Sequence, residues 1–255
     1  MDILILGCGF TGRRVAERFL VGGARVTVTT RRPERLANLD TEIIDIKELP
    51  KHARPGIVVL HSIPPNGPPD LLGPLKGVAE RVVYLSSTAV YGAVSDVDES
   101  TPAEPNSYRA RARLEAEREI VAGPWSSLIL RPAAIYGPGR GVQESIQRGE
   151  HSLSDRFVSR IHVDDLAAHA VAALRSDLTG AFPVADEEPC TSHEIAEFCA
   201  RLLNLPVAGA PREQSGREPR FAANRKVDGS AIRRALGIAL IHPSYRQGIP
   251  ASLRE

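Results

Sequence analysis

The sequence predicts an α/β protein built on a doubly wound parallel sheet, and three observations predict it. The apolar run Ile3–Leu6 enters Gly7-Cys8-Gly9-Phe10-Thr11-Gly12 without a spacer, and that turn opens an amphipathic segment. Further runs rich in β-branched residues alternate with helical or loop crossovers as far as Arg131. At 255 residues, 42% hydrophobic and 25% charged, the chain has an ordinary globular composition and the length to bury a sizeable core.

The opening stretch carries the chemistry. In a strand, glycine turn, helix arrangement the first glycine (Gly7) allows the tight turn, and the second (Gly9) lets backbone approach a pyrophosphate. The third (Gly12) lets the helix pack closely on the strand. Phosphates then meet free N–H groups, here those around Phe10 and Thr11, at the positive end of a helix dipole. A purely structural glycine turn is the competing reading.

The elements follow in order. Arg13–Leu20 places Val15, Ala16, Phe19 and Leu20 toward one side, and Gly22-Gly23 ends that helix. Ala24–Thr30 reads as a second strand, closing a β-α-β unit. An acid at the end of such a strand binds a ribose 2′-hydroxyl, whereas a base accommodates a 2′-phosphate; here stand Thr30, Arg31 and Arg32, which favours NADP over NAD. Alternatively, Arg31 and Arg32 begin a solvated helix with Glu34 and Arg35. Thr41–Ile46 and Gly56–His61 read as the third and fourth strands, and a proline-rich loop spans Ser62–Pro74. Arg81–Ser87 reads as the fifth strand, and Asn106–Val121 as a charged helix with Ala110, Leu114 and Val121 near one face. Ser127–Arg131 gives a sixth strand, broken by Pro132. Ile161–Arg175 is a helix with Asp164 as N-cap, Ser192–Leu203 another, Arg212–Lys226 a polar surface loop, and Val227–Leu240 a short helix ending near Gly237.

Bulk properties exclude several classes. With 32 basic and 31 acidic residues the net charge of +1 implies neither a nucleic-acid nor a membrane partner. Cys8, Cys190 and Cys199 stand at no metal-like spacing and suggest a reducing compartment, with no metal site; the N-terminus shows no leader or membrane span. These features make a cytoplasmic setting the expectation.

Four stretches in this order resemble the extended short-chain dehydrogenase/reductase family, in its NAD-dependent epimerase/dehydratase-like branch. They are the glycine turn, Tyr84–Gly92 (YLSSTAVYG), Leu130–Gly139 (LRPAAIYGPG) and Ile161–Leu166 (IHVDDL). The resemblance implies a Rossmann NAD(P)-binding domain over 1–138 plus 156–180, with a small substrate-covering portion over 139–155 and 181–255. It implies that Ser87 hydrogen-bonds the substrate oxygen, that Asp45 contacts adenine, and that Ser62 and Ile63 pass beneath the adenosine half. His162 and Asp164 match a signature whose main role is to fix a helix start. The glycine spacing departs from the commonest family form, pointing to an atypical branch.

The catalytic pair is where the match fails. The family pairs a tyrosine with a lysine four residues later; the lysine holds the nicotinamide ribose and lowers the phenol pKa. No Tyr-x-x-x-Lys occurs in this chain. One register on the charged helix keeps Tyr108 and leaves Ala112 at the lysine position; the other puts Arg113 there and Arg109 in place of tyrosine. Arginine keeps a charge but cannot relay a proton. Most of this helix's charges have a solvated, ion-paired face as their plainer reading.

Three functions remain open. One is an NADP-dependent oxidoreductase or epimerase-like enzyme with altered acid/base groups, in which Ser87 and Tyr108 orient a small carbonyl, hydroxyl or sugar-type substrate. Another is a non-catalytic NADP(H)-binding sensor, and a third a nucleotide-sugar transferase or isomerase without redox chemistry. A monomer and a homodimer are both compatible with the sequence.

Overall fold

The structure is a computed structural model that describes residues 1–65, 67, 70–151, 153–205 and 224–254. Strands β1 (Asp2–Leu6), β2 (Arg25–Thr29), β3 (Glu42–Ile44), β4 (Ile57–His61), β5 (Ala79–Leu85), β6 (Ser126–Pro132) and β7 (Gly180–Val184) form one sheet. Their order is β7-β6-β5-β4-β1-β2-β3, with every pair parallel. The strand order reverses at β1, between β2 and β4. Connections therefore leave in opposite directions there and open a crevice at the carboxyl ends of the strands. This is the doubly wound Rossmann architecture.

Alternation along β1 builds two cores. Ile3 and Ile5 pack with Val15 and Phe19 of α1 (Phe10–Val21). Leu166, Ala170 and Leu174, from the later helix Val163–Arg175 beside α1, join the same core. Leu4 and Leu6 face the other side, with Tyr84, Ile120 and Ile129; Ile120 comes from α2 (Tyr108–Val121). Both faces are covered, so the strands read as continuous apolar runs. Between β4 and β5 the described crossover contains only the single turn Gly73–Leu75.

Besides the single turn Leu49–His52, the remaining described α-helices are α3 (Val142–Gln147), α4 (Val163–Arg175), α5 (Ser192–Leu203), α6 (Ser230–Leu236) and α7 (Tyr245–Ser252). Around α5 and α7, Tyr136, Cys190, Ile195, Cys199, Tyr245 and Ile249 make a separate small core. Thr191 and Glu194 close a capping box at the start of α5, and Gly237 ends α6 in the left-handed conformation. No described helix is long and apolar enough to cross a membrane.

Four expectations are corrected. β6 runs through Pro132, because the proline is the last paired residue and Ala133 N–H resumes the ladder to the Val184 carbonyl at 2.9 Å. The cap of α4 is His162, not Asp164; its Nδ1 accepts from the Asp164 N–H at 3.3 Å. The buried residues of α2 are Ala110, Glu117 and Ile120, while Val121 is exposed; Glu117, assigned with its neighbours to a solvated face, is interior. Residues 212–223 of the expected surface loop lie outside the described residues, but its end departs from expectation. Arg225 is buried, and Lys226–Val227 pairs as a strand with Asp96–Val97.

Candidate cofactor and active site

At the crevice, Gly7 adopts φ +85°, and a Cβ on it would lie 2.9 Å from Ile63 Cγ1. β2 holds the turn: Gly7 N–H donates to Thr29 Oγ1 at 3.0 Å and Cys8 N–H to the Thr29 carbonyl at 2.7 Å. A Cβ on Gly9 would have no neighbour nearer than 4.0 Å, so open space lies above it. Gly12 is tight instead, its Cβ direction meeting Ile5 Cγ2 at 3.1 Å, as helix-on-strand packing requires. Gly9 caps α1 with no side-chain hydrogen bond, and the first turn holds no acid. The free N–H groups and positive helix end therefore face the open space, and these residues fit a dinucleotide diphosphate.

Residues from three other strand ends converge on this turn. Ser62 Oγ donates to the Gly7 carbonyl at 2.6 Å, tying the end of β4 to the glycine turn. After β2, Arg31 and Arg32 are exposed and neither guanidinium has a hydrogen-bonding or ionic partner among the described residues. The next helical turn begins only at Pro33, and Thr30 Oγ1 accepts from the Arg32 N–H at 3.1 Å. Asp45 spends Oδ1 on the Lys47 N–H at 2.8 Å, capping the turn Ile46–Glu48. Phe10, the first residue of α1, has the Arg14 and Arg140 guanidiniums 4.7 and 5.3 Å from its ring centroid.

Ser87 follows β5 and caps the turn Thr88–Tyr91, its Oγ accepting from Ala89 N–H at 3.1 Å. Two buried devices fix that turn. Arg225 donates to the carbonyls of Thr88, Gly92 and Val94. Beneath, Ser86 donates to Glu117, which receives Arg131 through Nη2 at 2.7 Å and Nε at 3.1 Å; Arg131 Nη1 reaches Tyr91 Oη at 3.2 Å. Sequence reasoning missed Glu117, Arg131 and Arg225 as supports. The one available signal was that Arg131 falls inside the stretch Leu130–Gly139; nothing local marks Glu117 or Arg225.

Helix α2 carries the residues of both registers. Arg113 Nη1 donates to the Leu85 carbonyl at 3.2 Å, at the end of β5. Tyr108 is the first residue of the helix and 76% exposed. Five residues at about 100° each set the two side chains roughly 140° apart around the axis. Arg113 is thus turned toward the end of β5, whereas Tyr108 stands on a different, exposed side of the helix.

On the C-terminal side, His162 Nε2 lies 3.1 Å from Ser252 Oγ, and its ring stands 4.0 Å from that of His242. Burial, then the His242 charge, pushes the His162 pKa down to about 4. Asp165 accepts from the N–H groups of Ile241 and His242 at 2.6 and 3.0 Å. His162, Asp164 and His242 come within 4.8 Å of one another, but both His162 nitrogens are engaged and Arg14 Nε holds Asp164 at 2.7 Å. The cluster anchors the tail to the start of α4.

Comparison with known proteins agrees with this geometry. Residues 71–182 match the family model for the NAD dependent epimerase/dehydratase family. A 3-diazoavenalumate denitrifying reductase from Streptomyces sp is 32% identical over 155 residues, 54% of this chain; the match spans about half, 51%, of that relative. A functionally unknown conserved protein from Silicibacter pomeroyi DSS superposes with a TM-score of 0.83 at 28% identity, covering 99% of this chain and 98% of the other. UDP-glucuronic acid 4-epimerase from Bacillus cereus, solved with UDP-glucuronic acid and NAD, shares the fold at TM-score 0.81 and 17% identity, covering 100% of this chain and 98% of that one. The glycine turn, the sheet order and these likenesses converge: the chain has the Rossmann fold, and its residues 71–182 match the NAD dependent epimerase/dehydratase family.

Proposed function

We propose that this chain binds NADP(H), with NAD the less favoured cofactor, and acts as an epimerase/dehydratase-like oxidoreductase on a small carbonyl, hydroxyl or sugar-type substrate. The observation that carries this reading is the uncapped start of α1 beneath the open space at Gly9, flanked by the unpartnered guanidiniums of Arg31 and Arg32. Phe10, Thr11 and Gly12 would supply backbone N–H groups to the diphosphate, Arg31 and Arg32 charge to a 2′-phosphate, and Ser62 and Ile63 a floor. The cofactor supplies a hydride acceptor or donor.

The chain's own residues do the rest. The Ser87 hydroxyl, held by the Arg225-braced turn, orients a substrate oxygen. Arg113 places a permanent positive charge beside the ribose but cannot move a proton, so the proton passes through water or the substrate itself. That UDP-glucuronic acid is bound by one structural neighbour supports a sugar-type substrate.

A second reading, a non-catalytic NADP(H) sensor, is favoured by Arg113 standing at the lysine position. One experiment separates them: titrate the protein with NADPH, then follow NADPH oxidation, and NADP reduction, with UDP-sugars, aldehydes and ketones. Turnover abolished by Ser87→Ala supports the enzyme; tight binding without turnover across the panel supports the sensor. No NADPH binding at all overturns both.

A further inference from the structure

On the sheet face away from α1, the short β4–β5 crossover leaves a groove of about 610 Å³ against α2. Its floor is His61 and Tyr84, and its walls include Ile63, Leu71, Ile120 and Trp125. Tyr84 is fully buried with the Arg113 guanidinium beside it, yet among the described residues no acceptor meets its O–H, which is costly unless something else supplies one. His61 accepts from the Ile63 N–H through Nδ1 at 3.3 Å, so Nε2 carries the ring proton. Burial, reinforced by the Arg113 charge, pushes the His61 pKa down to about 4 and keeps the ring neutral. The two rings stand 4.9 Å apart, so two neutral donors, Tyr84 O–H and His61 Nε2–H, belong to one end of a groove of mixed polar and apolar lining.

We propose that this groove is a second small-molecule site, for a neutral aromatic compound carrying one carbonyl-type acceptor, separate from the crevice at Gly7. Both deep groups are neutral, whereas the charged lining residues are of mixed sign, Asp70 and Glu119 against Lys76, with the Arg113 guanidinium acting on both deep rings. A ring fits the wall, where Trp125 lies against Gly123 with its Nε1 held by the Ile120 carbonyl at 2.8 Å. The volume lies within the range of sites for small ligands. Ile63 links the two sites. It lines the groove, and its Cγ1 sits 2.9 Å from the Cβ direction of Gly7, so an occupant pressing on Ile63 bears on the glycine turn.

Trp125 is the only tryptophan of the chain, so its emission reports on this groove alone. The probe is acetophenone, with ethylbenzene as the analogue lacking an acceptor, titrated against wild type, Tyr84→Phe and the groove-filling Ala116→Phe. The expected result is saturable quenching by acetophenone, at least fivefold weaker in Tyr84→Phe and lost in Ala116→Phe, with ethylbenzene no tighter than acetophenone is on Tyr84→Phe. Acetophenone should also change the NADPH dissociation constant of the wild type at least twofold. Linear quenching equal to that of free N-acetyltryptophanamide, equal affinity in Tyr84→Phe, or shielding of Trp125 by self-association in the absence of probe would each overturn the site. An unchanged NADPH affinity would overturn the link through Ile63. Should NADPH fail to bind, the quenching result still stands, so the site and the cofactor reading fail separately.

Discussion

The Ser62 hydroxyl donates to the Gly7 carbonyl at 2.6 Å, joining the end of β4 to the turn that follows β1. This bond spans the point where the strand order reverses, so it sets the width of the crevice where a dinucleotide would lie. Ser62→Ala should raise the NADPH dissociation constant about fivefold, the equivalent of one hydrogen bond of roughly 1 kcal/mol. Gly7→Ala should abolish binding, because φ +85° strains alanine and its methyl would meet Ile63. Fluorescence titration with NADPH checks both; unchanged affinity in either variant would remove the turn from the site.

Arg31 and Arg32 are exposed and have no partner among the described residues, so replacing both with alanine should leave the fold intact. Charge-assisted bonds to a 2′-phosphate are each about 1.5–3 kcal/mol. The double variant should weaken NADPH binding by more than tenfold while changing NADH binding less than twofold, as read in parallel titrations. Equal losses would sink the 2′-phosphate argument.

Glu117 and Arg131 form a pair whose side chains are 5% and 10% exposed. Removing one partner strands a buried charge, and Glu117→Ala should cost about 3 kcal/mol, or roughly 10 °C in Tm for a chain of this size. Glu117→Leu combined with Arg131→Met should cost less than Glu117→Ala alone. Thermal unfolding followed by circular dichroism tests the ordering, and Ser86, which loses its acceptor, should make the single variant poorer in any activity as well.

Stability should pass through a maximum near pH 6.5. Burial pushes the pKa values of His61, His162 and His169 from 6.5 to about 4, so the folded chain binds fewer protons than the unfolded one in that window. Their contribution is complete above pH 6.5 and is lost as pH falls toward 4. Asp186 is shifted the other way by burial, from 3.8 to about 8, and Asp165 is raised for the same reason, so their contribution is lost as pH rises. Between pH 4 and 6.5 three imidazoles outweigh two carboxyls; above 6.5 Asp186 remains, and stability declines toward pH 8. Urea unfolding at several pH values reads the curve, and Asp186→Asn should flatten its alkaline limb.

Much of this architecture was legible in the chain. The apolar run ending at Leu6, the glycines at 7, 9 and 12, and the β-branched strands each carry a local signal that the sheet order reproduces. Helix boundaries fell within a few residues because Gly22, Gly237 and Thr191 are local stop and start signals. What escaped was tertiary. Glu117 and Arg131 stand 14 residues apart, and nothing in a charged helix distinguishes the one carboxylate that meets a buried guanidinium. Arg225, at the end of a polar stretch, becomes interior through carbonyls more than 130 residues earlier. The sequence left two registers on α2 for a related reason: spacing shows which residues share a helix face, not which face meets the sheet.

Because β7 is the outermost strand beside β6, and is contributed by residues 180–184, one side of the sheet is completed late. A nascent chain that has emerged only as far as α4 holds the apolar run Leu128, Ile129 and Leu130 on an unpaired edge, a template for strands of other chains. Truncations ending before Val184 should therefore aggregate during synthesis, whereas those that retain it present β7, with its internal proline at Pro183, as a blunted and protected rim.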